Sequence, residues 1–213
     1  MRALVITGSP HLKSSTAALA AVAGSALTAL GATVRTMELG APRGTARPAD
    51  AGGSADVAFP AGHPDGTRDT GALRHTVDGQ AAQLRLAVAD ADAVVLASPV
   101  HHAGYSGLLK TALDQLSGDA FEDKAVGLLA HGSGPRTGNV VCEQLRTVAK
   151  ALGGWVVPTQ VAGCPEDFTT GPDAIRTPSP ELLLRCRALA GELHRCATML
   201  GTPLKAVRER ATA

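Results

Sequence analysis

Apolar residues fall in two rhythms along this chain. Short unbroken runs stop abruptly at Gly, Ser or His: Leu4-Val5-Ile6 before Gly8, Ala93-Val94-Val95-Leu96-Ala97 before Ser98-Pro99, and AVGLLA over 125–130 before His131. Such runs suit strands buried on both faces of a parallel sheet rather than half-exposed, alternating ones. Between them the period lengthens to that of a helix, over 14–30 with a stop at Gly31, over 80–89, over 107–116 and over 138–152 with a stop at Gly153-Gly154. Residues 32–39 alternate and predict a second strand, while 155–157 open a fifth strand that resumes at 160–162 beyond Pro158. The last helix is the clearest: Leu182, Cys186, Leu189, Leu193, Ala197 and Leu200 share one face, with Arg185, Arg187, Glu192 and Arg195 elsewhere.

Strands alternating with helices predict a parallel α/β three-layer sandwich. Right-handed crossovers make the flavodoxin-like strand order 2-1-3-4-5 its natural topology. One domain over 1–200 is expected, with a C-terminal tail over 201–213. Residues 40–79 interrupt the pattern: they are rich in Gly, Pro, Ala, Asp and Thr and hold no sustained period. They read as a long inserted loop, serving as a lid over a site, as a dimer arm, or as plain solvated chain.

Composition removes several functional classes. Twenty basic and 19 acidic residues leave a formal net charge of +1, which gathers neither nucleic acid nor an anionic membrane. The N-terminal apolar run is too short for a secretory segment, and nothing approaches a membrane span, so a cytoplasmic location is expected. Cys142, Cys164, Cys186 and Cys196 form no CxxC pair and no metal-ligand spacing, and they read as small apolar residues.

In an open parallel sheet of this order the ligand site lies beyond the carboxyl ends of strands one and three, where strand order reverses. Three segments converge there: 8–16, 98–107 and 131–138. The first, GSPHLKSST, brings Ser9, Ser14, Ser15 and Thr16 to the start of a helix, where free amides and the helix dipole favour an anion. The same residues serve equally well as simple N-caps. Neither GxxxxGK[ST] nor GxGxxG is present. The second, SPVHHAGYSGLLKTALDQL, sets Pro99, His101, His102, Gly104 and the chain's single tyrosine, Tyr105, directly after a buried strand. A turn fixed by proline and opened by glycine lets backbone approach a flat ring. Lys110 and Asp114, four apart on the following helix, read as a surface or interface ion pair.

The pairing of GSPHLKSST after strand one with ADAVVLASPVHHAGYSGLLKTALDQL after strand three resembles the NAD(P)H-dependent FMN reductase family. The family's usual loops read Gly-Ser-x-Arg-x-x-Ser and Ser-Pro-x-Tyr-x, the latter followed by Gly-x-Leu-Lys-x-x-x-Asp. The resemblance implies that Ser9, His11, Ser14, Ser15 and Thr16 surround an FMN phosphate. His11 stands where the family carries Arg, exchanging a charged fork for one hydrogen bond. It further implies that Pro99, Val100, His101, His102, Tyr105 and Ser106 line the isoalloxazine and ribityl chain. His131, Gly132, Ser133 and Arg136 of AHGSGPRTGN would then approach the pyrimidine edge. The implied chemistry is hydride transfer from NADPH or NADH to FMN, with no protein acid, base or nucleophile.

The implied partners are FMN, a nicotinamide nucleotide and a flavin-dependent monooxygenase that receives reduced flavin, with the chain assembled as a homodimer or homotetramer. An FMN enzyme acting directly on a quinone, azo compound or metabolite is the alternative. A flavodoxin-type electron carrier fits less well, given the near-neutral charge and the missing Thr-x-Thr-Gly-x-Thr loop.

Overall fold

The computed structural model describes residues 1–11, 13–40, 70–170 and 176–201. Its elements run β1 (Arg2–Thr7), α1 (Ser15–Ala29), β2 (Thr33–Glu38), α2 (Thr70–Ala89), β3 (Ala93–Pro99), α3 (Gly107–Leu113), β4 (Ala125–His131), α4 (Thr137–Ala151), β5 (Trp155–Gly163), β6 (Phe168–Thr170), β7 (Arg176–Pro178) and α5 (Pro180–Gly201). The first five strands form one parallel sheet in the order β2-β1-β3-β4-β5. The expected flavodoxin-like topology is therefore the observed one.

Alternation sorts the strand residues between two cores. Ala3 and Val5 of β1, with Ala93, Val95 and Ala97 of β3, meet α1 and the apolar stripe of α5. Leu4 and Ile6, with Val94 and Leu96, meet α2, α3 and α4 on the other face. The middle positions of the central strands, 93–97 and 125–130, hold no polar side chain because both faces are covered. Cys186 sits in the first core and Cys142 in the second.

Helix α1 ends as its sequence implies. Gly31 takes φ +80°, its N–H reaches the Thr28 carbonyl at 2.9 Å, and the Ala32 N–H reaches Leu27 at 3.1 Å. This is a Schellman cap, which a left-handed residue makes possible. Strand β5 continues through Pro158 because its register against β4 slips between Val126 and Leu128, leaving the proline in a bulge that needs no ladder N–H. Arg146 takes the Val157 and Pro158 carbonyls, and Glu192 takes the Thr159 N–H and hydroxyl.

Two features depart from the expected pattern. Helix α2 begins at Thr70, ten residues before the expected start at Gln80, so the inserted segment ends in helix rather than loop. The Gly, Asp and Thr residues of 70–79 give no apolar stripe to read, yet a helix already paid for by the packing of Leu84, Ala87 and Val88 extends backwards at one hydrogen bond per residue. The rest of the insertion, 41–69, and the tail from 202 lie outside the described residues. The second departure is an antiparallel hairpin, β6–β7, between the main sheet and α5. Its three-residue strands are too short to carry a period.

Candidate functional site

Three loops meet at the carboxyl ends of β1, β3 and β4. Loop one (8–14) and loop two (100–106) are pinned together by Ser106. The Ser106 hydroxyl donates to the Gly8 carbonyl at 2.6 Å and accepts the Leu109 N–H at 3.1 Å, capping α3. The Ser106 N–H in turn donates to Ser98 Oγ at 2.9 Å. Gly8 approaches so closely that a Cβ there would lie 2.6 Å from Leu109 Cβ and 2.7 Å from Ser106 Oγ. Loops two and three join where the Val100 N–H donates to the His131 carbonyl at 2.9 Å. Gly132 fits beneath Thr137 only for want of a side chain, since a Cβ would meet Thr137 Oγ1 at 2.0 Å.

Loop one shapes itself. Ser9 Oγ accepts the His11 N–H and donates to the His11 carbonyl, both at 3.2 Å, while Ser14 Oγ caps α1 by accepting the Ala17 N–H at 3.1 Å. The Ser14 carbonyl takes the Ala18 N–H. The amides of Ser15 and Thr16 lie ahead of any intrahelical acceptor, as first-turn amides must. Thr16 is buried, Ser15 half-buried and the His11 ring exposed.

Thr7 closes the strand that leads into loop one. Thr7 ends β1 on the face covered by α1, is only 1% exposed, and its hydroxyl has no hydrogen-bond partner among the described residues. A buried hydroxyl without a partner costs about 1–3 kcal/mol. The polar residue that closes an otherwise apolar run was its one sequence signal.

Loop two turns sharply. His101 and Gly104 exchange both backbone hydrogen bonds at 2.9 Å across His102 (φ 49°) and Ala103 (φ 60°). Two successive left-handed residues form the hairpin turn usually given to Asn-Gly. The strain falls on His102 and Ala103, and Gly104, the expected hinge, carries none of it. Gln144 of α4 steadies the turn by donating to the Ala103 carbonyl at 3.0 Å. The turn presents both imidazoles to solvent, while Pro99, Val100 and Tyr105 are half-buried at its base. Lys110 and Asp114 form an exposed ion pair one turn into α3.

In loop three Ser133 and Arg136 are exposed, and Arg136 enters α4 with φ 69°. The His131 side chain turns away from loop two. Its ring centroid lies 6.1 Å from that of Phe168 at the foot of the hairpin, and its Nε2 is buried without a partner among the described residues. Burial pushes the imidazole below its ordinary pKa of 6.5; the Cys164 backbone opposes this and the Arg176 charge adds to it. The described residues hold no cluster of three metal-ligating side chains, and no described helix is long and apolar enough to cross a membrane.

A parallel sheet in this order, with a helix-start cradle and a raised turn at its switch point, defines a flavodoxin-like α/β protein built to receive an anion-bearing ligand beyond β1 and β3. The chain belongs to the NADPH-dependent FMN reductase family, whose model matches residues 1–167. It is similar to the FMN-dependent NADPH-azoreductase of Staphylococcus aureus strain NCTC 8325, 41% identical over 83 residues, or 39% of this chain and 44% of that one. The Staphylococcus saprophyticus protein of the same name is 42% identical over 85 residues, 40% of this chain and 45% of its own. The chain thus spans less than half the length of these curated relatives. Among solved structures, an oxidoreductase from Corynebacterium diphtheriae superposes with a TM-score of 0.64 at 24% identity, covering 93% of this chain and 98% of that one. An apo NADH:FMN oxidoreductase superposes with a TM-score of 0.61 at 22% identity, covering 96% and 92%. Both likenesses bear on the fold.

Proposed function

We propose that the protein is an NAD(P)H-dependent FMN reductase, with the FMN phosphate seated at the start of α1. The start of α1 carries the reading: the first-turn amides of Ser15 and Thr16 precede any intrahelical acceptor, on a loop that Ser106 holds against loop two. Ser9 and Ser14 act by holding the loop in shape, and Ser106 by holding loop one against loop two. Pro99, Val100, Tyr105 and the strained His101–Gly104 turn form the wall for the ring. Gly132, Ser133 and Arg136 bring backbone amides and a cation toward its polar edge, while His131 supports the cradle from below.

Bound FMN would supply the redox chemistry, taking a hydride from NADPH or NADH and passing two electrons onward. The protein's work is to bind, orient and leave one ring face open. The azoreductase names of the similar Staphylococcus proteins favour an acceptor reduced directly on the protein, such as an azo compound or quinone. Delivery of free reduced FMN to a monooxygenase is the other use of the same site. A cytoplasmic homodimer or homotetramer completes the proposal.

The test is an absorbance spectrum of purified protein with and without added FMN, followed by NADPH and NADH oxidation with FMN, an azo dye or a quinone. Saturable FMN binding with nicotinamide oxidation is expected. FMN binding with no nicotinamide oxidation would leave an electron carrier, and no FMN binding would end the proposal.

A further inference from the structure

We infer that Arg176, on the β6–β7 hairpin, is a phosphate-recognition residue that supplies the cation facing a phosphate monoester at the start of α1. The inference rests on the FMN reading above but names a residue beyond positions 1–167, where the family match ends.

Arg176 Nη1 donates to the Lys13 carbonyl at 3.0 Å, joining residues 163 positions apart. Lys13 directly precedes the N-cap Ser14, so the guanidinium lies at the end of α1 where the free amides are. A guanidinium has five N–H donors, and this one spends a single described bond on a neutral carbonyl. No carboxylate pairs with it among the described residues. Asp167, the acid nearest in chain on the hairpin's first arm, is committed elsewhere: it forms an ion pair with Arg185 and accepts the Cys164 N–H at 3.0 Å. The hairpin that carries Arg176 is held at its base. The Ser179 N–H donates to the Asp167 carbonyl at 2.8 Å, and Phe168 packs on His131.

The basic side chains of loop one suit the task less well. His11 and Lys13 are both exposed, so salt screens them, whereas Arg176 is half-buried and acts at lower effective dielectric. Arg187 provides the natural comparison. It lines the same groove along α1 but is exposed and has no described hydrogen bond to loop one.

Fluorescence titration of FMN and of riboflavin, which lacks the phosphate, separates charge recognition from a structural role. The variants are Arg176→Gln, which keeps an amide donor for the Lys13 carbonyl, Arg176→Lys and Arg187→Ala. Arg176→Gln is expected to weaken FMN by about tenfold or more and to leave riboflavin unchanged. Arg176→Lys should recover part of the loss, and Arg187→Ala should match the parent. Equal weakening of FMN and riboflavin, or unchanged FMN affinity in Arg176→Gln, would overturn the inference while leaving the FMN reading in place. Failure of the parent protein to bind FMN would overturn both.

Discussion

Ser106 is the residue whose role the geometry assigns most sharply, and Ser106→Ala tests it. Its hydroxyl is spent inside the protein, on the Gly8 carbonyl at 2.6 Å and the Leu109 N–H at 3.1 Å, in a residue only 2% exposed. Alanine keeps the shape and removes both bonds. Loss of the helix cap costs about 1 kcal/mol, and the stranded Gly8 carbonyl about 1–3 kcal/mol more, because water has poor access to it. The sum is roughly 2–4 kcal/mol. At about 2–4 °C per kcal/mol for a chain of this size, Tm should fall by roughly 5–15 °C. Urea denaturation of the ligand-free protein measures the loss directly, with an unchanged slope indicating that only stability moved. A residue that merely lined the flavin would show the opposite pattern, normal ligand-free stability with weakened FMN binding. A loss below about 0.5 kcal/mol would refute the pinning role.

Gly8→Ala drives a Cβ to 2.6 Å from Leu109 Cβ, so it should part loops one and two, cost about 1–3 kcal/mol and weaken FMN binding in titration; retention of parental stability would contradict the close approach. His131 titrates below 6.5 when folded, so the unfolded chain binds more protons as pH falls past that value. Stability from His131 is therefore full above pH 6.5 and declines as pH drops toward the folded pKa; His131→Gln should flatten this part of the urea stability profile. Burial pushes Cys142 up to about 12 and Cys186 to about 11. Ellman's reagent should therefore leave both unmodified in native protein at pH 8 and react with them on denaturation. Labelling of either at the rate of a free thiol would show that the core opens.

The sheet was legible because its central strands carry unbroken apolar runs, a pattern that double-sided burial imposes. The glycines after α1 and α4 marked helix ends for an equally local reason. Local rules stopped short at Thr70, where helix propagates from a packed segment into residues with no apolar stripe, and at the β6–β7 hairpin, whose strands are too short for a period. In the loops, the bonds that the hydroxyls make were not legible in the sequence. Ser9 and Ser14 shape loop one and Ser106 joins two loops, because hydroxyls of that reach bond the nearest backbone group first. Gly104 looked like the hinge of loop two, yet His102 and Ala103 take the left-handed angles.

By itself the sequence determined the layer architecture, the strand order and the three loops at the switch point, since hydrophobic period, handedness of crossovers and capping residues are properties of short segments. Only the tertiary structure decided which polar atoms remain without a partner. Thr7 and His131 are polar ends of apolar strands in any reading, and their isolation follows from what α1 and the hairpin lay over them. Arg176 lies 163 positions from the carbonyl it grips. That meeting depends on how β6–β7 packs against α1, an event no local pattern records.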